Sequence, residues 1–188
     1  MPAGDDQPVD KAYEEIIARS NEFYEKGDYE KALSWYEDAT RLEPQQGLSW
    51  YMKGMTLFRM EKYDEALLAF EMAAKLDANR AEPLMGKAYV HMKMFRFSEA
   101  VECFKEAFIR DENFETACLI GLCYLLDDNE EQAAEWFRKA FSISRDGTLK
   151  FFEEMYLNVV LRDENITSDE KVAVRTAIDK LKKKLQNP

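Results

Sequence analysis

The sequence predicts an all-α fold, a solenoid of helical hairpins closed by a terminal pair of helices. Three observations predict it. A turn-then-helix pattern recurs about every 34 residues, the apolar residues follow a helical period, and 7 Gly and 5 Pro in 188 residues are too few for a loop-rich β architecture.

The recurring segments are DYEKALSWYEDAT from Asp28, KYDEALLAFEMAA from Lys62, RFSEAVECFKEAF from Arg96 and NEEQAAEWFRKAF from Asn129. Each holds an alanine (Ala32, Ala66, Ala100, Ala133) and, four residues on, an aromatic (Tyr36, Phe70, Phe104, Phe137). A second alanine follows three residues later (Ala39, Ala73, Ala107, Ala140). Twelve residues before each first alanine stands a small residue: Ser20, Gly54, Ala88 or Gly121. Three further on come Phe23, Leu57, His91 and Tyr124. Small residues at one crossing and large ones at the other let two antiparallel helices approach and interlock, so the unit is a helical hairpin.

These residues resemble the tetratricopeptide repeat, whose pattern is W-x₂-L-G-x₂-Y…A-x₃-F…P. The second repeat matches best, through Trp50, Gly54, Ala66, Phe70 and Ala73. The Leu slot instead holds Arg19, Lys53 and Lys87, and the closing proline appears only as Pro44, with Ala78, Glu112 and Arg145 at the later junctions. The resemblance covers residues 13–146 and implies a right-handed superhelix that binds other proteins. Residues 11–146 are read as four hairpins, 1–10 as an unstructured tail, and 147–188 as a capping helical pair.

In that cap, Gly147 is read as a helix end or junction. Leu149, Phe152, Tyr156, Val159 and Val160 mark one amphipathic helix. Thr167 with Glu170 forms a capping box that opens a second, whose apolar stripe is Val174, Ala177, Ile178, Leu181 and Leu185. Stacked repeats need an end with a polar outer face, which this pair supplies.

The net charge is −11, so nucleic acid is a poor partner for most of the surface. Residues 168–188 run against the trend at +3, the rest summing to −14; a basic helix end complementing its own dipole is the favoured reading, and a membrane or nucleic-acid contact through this end is the alternative. The N-terminus lacks the basic-then-apolar pattern of a signal peptide, and no apolar run approaches the 18 residues or so of a membrane span. Cys103, Cys118 and Cys123 form no CxxC pair and read as reduced, buried thiols, which suits a cytoplasmic protein.

Catalysis finds little support. The single histidine, His91, sits in a helix-packing slot, with no second histidine to complete a triad or a typical zinc site. No glycine-rich loop cradles phosphate, so no enzyme activity, cofactor or metal is expected.

The other face of each first helix carries the functional expectation. At 100° per residue, the side opposite Trp50, Gly54 and Leu57 presents Leu48, Tyr51, Met52, Met55 and Phe58. The third repeat places Glu82, Met85, Gly86, Tyr89, Met92 and Lys93 there, and the fourth Glu115, Cys118, Leu119, Leu122, Leu125 and Leu126. The resemblance implies that first helices line a concave groove, here an apolar channel with a polar mouth at Glu14, Asn21 and Glu25. The candidate partner-binding residues are Asn21, Tyr51, Met52, Met55, Phe58, Met85, Tyr89, Met92, Leu119 and Leu122. A partner's apolar or amphipathic helix or peptide is the favoured occupant. Another copy of the chain or its own terminal segments is the alternative, which makes a self-associating scaffold the second function; burial between neighbouring repeats is the plain structural reading. Family members that clamp a C-terminal carboxylate use Lys and Asn, then Asn, then Lys and Arg. The matching positions hold Ile17, Asn21, Met52, Glu82 and Gly86, so only Asn21 fits.

Overall fold

The computed structural model describes residues 8–155 and 167–186. Among them it contains ten helices and no strand: α1 (Pro8–Glu25), α2 (Tyr29–Leu42), α3 (Gly47–Arg59), α4 (Tyr63–Leu76), α5 (Glu82–Lys93), α6 (Phe97–Arg110), α7 (Phe114–Leu126), α8 (Glu130–Ile143), α9 (Arg145–Met155) and α10 (Ser168–Gln186). They fall into two compact units, the first ending at Arg110 and the second beginning at Asp111.

In the first unit α1/α2, α3/α4 and α5/α6 pack as hairpins, and α2 against α3 and α4 against α5 join them in series. The second unit holds the hairpin α7/α8, with α9 packed on both of its helices. All twelve alanine and aromatic anchors are buried. So are Ser20, Gly54, Ala88 and Gly121. A Cβ on Gly54 would lie 2.8 Å from the Phe70 ring, and one on Gly121 would lie 2.6 Å from Phe137. The missing side chain is what lets the aromatic of the second helix enter the first.

The hairpin turns share one backbone device. Gly27, Glu61, Phe95 and Asp128, at equivalent positions, all take positive φ, between 56° and 76°. The next amide in each turn donates back to a carbonyl five residues earlier: Asp28 to Phe23, Lys62 to Leu57, Arg96 to His91 and Asn129 to Tyr124, at 2.8–2.9 Å. This left-handed cap satisfies carbonyls that the ending helix would otherwise orphan. It also anchors the turn to the large packing residue of its own hairpin. Asp28 and Asn129 then cap the second helices, accepting from the amides of Lys31 and Gln132.

The start and the end of the chain differ from expectation. Helix α1 begins at Pro8, inside the segment read as a tail; residues 1–7 lie outside the described residues. Gly147 is no junction. It lies inside α9, which follows α8 after Ser144 alone, and a Cβ there would sit 2.6 Å from the ring of Phe114. Glycine is needed for close approach of α9 to α7. Phe152 of α9 packs edge-on to Phe137, ring centroids 5.0 Å apart, and Ile178 of α10 joins the same cluster. Tyr156, Val159 and Val160 lie outside the described residues, as do the side chains of Glu170, Val174, Ala177, Leu181 and Leu185.

Candidate partner-binding pocket

The first helices of the second and third hairpins, α3 and α5, adjoin one another, and α4 lies between them in the chain. Because α3 is apolar on more than one side, packing its Gly54–Leu57 face on α4 leaves other large side chains uncovered. These meet their counterparts on α5 around a pocket of about 210 Å³, lined by Tyr51, Met55, Phe58, Phe70, Glu82, Met85, Gly86 and Tyr89. All eight belong to the first unit.

Phe70 forms the floor. Its ring lies 5.8 Å from that of Tyr51, and Gly86 presses so closely on it that a Cβ would stand 2.5 Å away. Tyr89 leans edge-on to Phe104 at 5.4 Å yet stays 38% exposed, so its ring forms part of an accessible wall. Met55, Phe58 and Met85 are half-buried. Glu82 is the pocket's one carboxylate. Arg80 holds it in a two-pronged pair, Nη2 to Oε1 at 2.8 Å and Nε to Oε2 at 3.3 Å, which keeps it ionised below the usual carboxylate range. Burial pushes the Tyr51 phenol up, with Glu82 adding to the effect, so that phenol stays neutral and offers an O–H donor.

Of the ten residues singled out from the sequence, Tyr51, Met55, Phe58, Met85 and Tyr89 line this pocket. Met52 and Met92 are half-buried on the same helices but are not part of the lining. Gly86, the third-repeat equivalent of Met52, faces Phe70, so this slot looks toward the preceding hairpin. Asn21 is occupied inside its own hairpin, its side-chain carbonyl accepting the Tyr36 hydroxyl at 2.5 Å. Leu119 and Leu122 are half-buried on α7 in the second unit. On that helix the face read as open is partly closed: Cys118 is fully buried and its thiol engages Thr148 of α9.

Three lining residues lie outside those ten: Phe70, which the sequence places in the interior of its hairpin, and Glu82 and Gly86, which stand on the expected face beside the apolar candidates. The residues with chemical potential elsewhere are quiet. Burial lowers the pKa of His91, which is neutral at pH 7, and its buried Nδ1 has no hydrogen-bond partner among the described residues. Burial raises all three thiols, those of Cys118 and Cys123 to about 12. Among the described residues no group of three or more His, Cys, Asp or Glu side chains is placed to hold a metal ion, and no helix is long and apolar enough to cross a membrane.

Comparison with solved structures returns helical-repeat proteins. MamA from Desulfovibrio magneticus RS-1 superposes with a TM-score of 0.68 at 21% identity, over 96% of this chain and 98% of that one. A MamA RS-1 double mutant gives 0.69 at 20% identity, over 93% and 96%. The first tetratricopeptide-repeat domain of Spaghetti (RPAP3), bound to the HSP90 peptide SRMEEVD, gives 0.59 at 14% identity, over 62% of this chain and 93% of that one. No curated protein sequence matches the chain closely enough to count as a relative. The tetratricopeptide-repeat profile itself matches residues 17–81 and 85–146, well over half the sequence, and with the buried anchors in all four hairpins it shows that the chain belongs to the tetratricopeptide-repeat family.

Proposed function

We infer that the protein is a non-catalytic adaptor or assembly factor of the cytoplasm, which takes an apolar or amphipathic peptide or helix in the pocket between α3 and α5. One observation carries this reading. Six large apolar or aromatic side chains (Tyr51, Met55, Phe58, Phe70, Met85 and Tyr89) surround a concavity with a single, already neutralised carboxylate. Methionines let such a wall re-pack around different side chains, and a protruding apolar anchor gains most from a dry socket. The Spaghetti domain, bound to a peptide, offers a precedent for peptide recognition on this fold. The cytoplasmic placement rests on three free cysteines, two of them buried beyond easy oxidation.

A displayed library of random peptides, panned in parallel on the wild-type chain and on Met55→Asp, tests the reading. Sequences with a recurring aromatic or aliphatic anchor should enrich on the wild type and not on the variant. Equal enrichment on both, or none on either, sinks it.

A further inference from the structure

Phe95 is at odds with its position. The four equivalent turn residues all adopt the left-handed conformation, which suits Gly27 and is tolerated by Asp128, but a bulky aromatic there is strained. The strained residue does not pack into the core in exchange: Phe95 is 80% exposed, its ring edge-on to that of Phe97 at a centroid distance of 6.2 Å. Lys93 and Arg96 flank it, both exposed, and among the described residues neither forms an ion pair. The stretch 83–98 holds no acidic side chain, although the chain carries 37. The turn explains the left-handed backbone but not an exposed aromatic side chain at it. Together these features make a basic-flanked aromatic knob on an otherwise acidic protein.

The structure also holds a socket of matching chemistry, the apolar pocket of Tyr51, Met55, Phe58, Phe70, Met85 and Tyr89. Phe95 lies past the end of α5, in the turn to α6, and is not among the residues that line the pocket of its own molecule. We propose that Phe95 of one copy seats in the α3–α5 pocket of a second copy, with Lys93 and Arg96 carried against that copy's acidic surface. The proposal rests on the pocket being a binding site, as argued above, and adds its resident occupant in the absence of a partner.

The contact is heterologous: knob and socket are different patches, so each molecule that donates one keeps the other unused, and association continues past the dimer. It is also weak. One phenylalanine buries roughly 150–250 Å², far below the 1,200 Å² or so of a stable interface. A peptide partner entering the pocket displaces Phe95, so partner binding and self-association exclude one another.

Sedimentation of the full chain from about 10 µM to about 1 mM reads this directly, a range set by the small buried area. The wild type should show a mass that rises with concentration, to at least about twice the monomer's at the top of the range. Phe95→Gly, which relieves backbone strain and so keeps the fold, should stay monomeric. Met55→Asp, with its helical content confirmed by circular dichroism, should stay monomeric as well. An equimolar mixture of the two should regain association and stop at a pair, because one variant keeps only the socket and the other only the knob. A wild type that is monomeric throughout overturns the proposal, as does Phe95→Gly associating like the wild type or a mixture that stays monomeric. If the wild type is monomeric yet still enriches anchored peptides, only the self-association fails; if peptide enrichment fails as well, the pocket reading falls with it.

Discussion

The ring of Phe70 occupies the space that a side chain on Gly86 would need: a Cβ there would come within 2.5 Å of it. Phe70 belongs to the second hairpin and Gly86 to the first helix of the third, so one ring locks its own hairpin through Gly54 and the next through Gly86. In an exposed helix interior, Gly→Ala stabilises by about 1 kcal/mol. At Gly86 and at Gly54 the sign should reverse, because the aromatic must move within a close-packed core. A loss of about 1–3 kcal/mol is expected for each, read as a lower urea midpoint at unchanged slope. A stabilised Gly86→Ala would show that the two hairpins are not locked through Phe70.

The same ring marks where the sequence stops being legible. The anchors Ala32 through Ala140 could be found because each is dictated by contacts inside one hairpin, and the hairpin recurs four times. The second role of Phe70, as pocket floor, depends on how the next hairpin lies against it, which no spacing within a repeat encodes. Gly147 failed for a related reason. Near a helix end, glycine ordinarily signals a cap, and only the presence of Phe114 on another helix shows that its lack of a side chain was the point. The turn conformation was hidden because three of its four residues are not glycine. The pocket face of α3 and α5 was visible as helices apolar on both sides, whereas the closure of Cys118 by α9 needed the position of a helix outside the repeat register.

Relief of strain at the turns should be measurable apart from any binding. A non-glycine residue held at positive φ costs on the order of 1 kcal/mol, more for a bulky one, and Phe95 gains almost no burial in return. Phe95→Gly should therefore raise the thermal midpoint at low protein concentration. Glu61→Gly should do the same to a smaller degree, since an unbranched polar side chain tolerates the conformation better. A fall in stability for Phe95→Gly would mean that the exposed ring contributes to folding after all.

Alkaline pH should unfold the protein through its buried thiols. Burial lifts Cys118 and Cys123 from an ordinary value of 9 to about 12 in the folded state. Between those values the unfolded chain has released protons that the folded chain still holds, so stability is complete below pH 9 and falls as pH rises toward 12. The Tyr36 phenol, raised by the same burial, steepens the trend. Urea midpoints measured from pH 8 to pH 11 should decline, and Cys118→Ala combined with Cys123→Ala should flatten the decline while lowering stability at pH 8. At pH 8 a thiol reagent should label Cys103, which is half-buried, before the other two. Rapid labelling of all three in the folded protein would contradict their burial.

Binding and folding should separate at the pocket. Met55 and Tyr89 occupy equivalent slots on α3 and α5, both line the cavity, and neither belongs to the fully buried core. An aspartate at either place puts a charge where a partner's anchor must be dehydrated, without touching the alanine and aromatic slots that close the hairpins. Loss of an anchor contact commonly costs more than about 2 kcal/mol, so affinity for a peptide selected on the wild type should fall about thirtyfold or more in Met55→Asp and in Tyr89→Asp. Helical content and most thermal stability should be kept. Titration by fluorescence anisotropy with a labelled peptide measures both variants against the wild type. If Met55→Asp and Tyr89→Asp unfold the chain instead, those side chains are core, and the pocket loses its standing as a binding site.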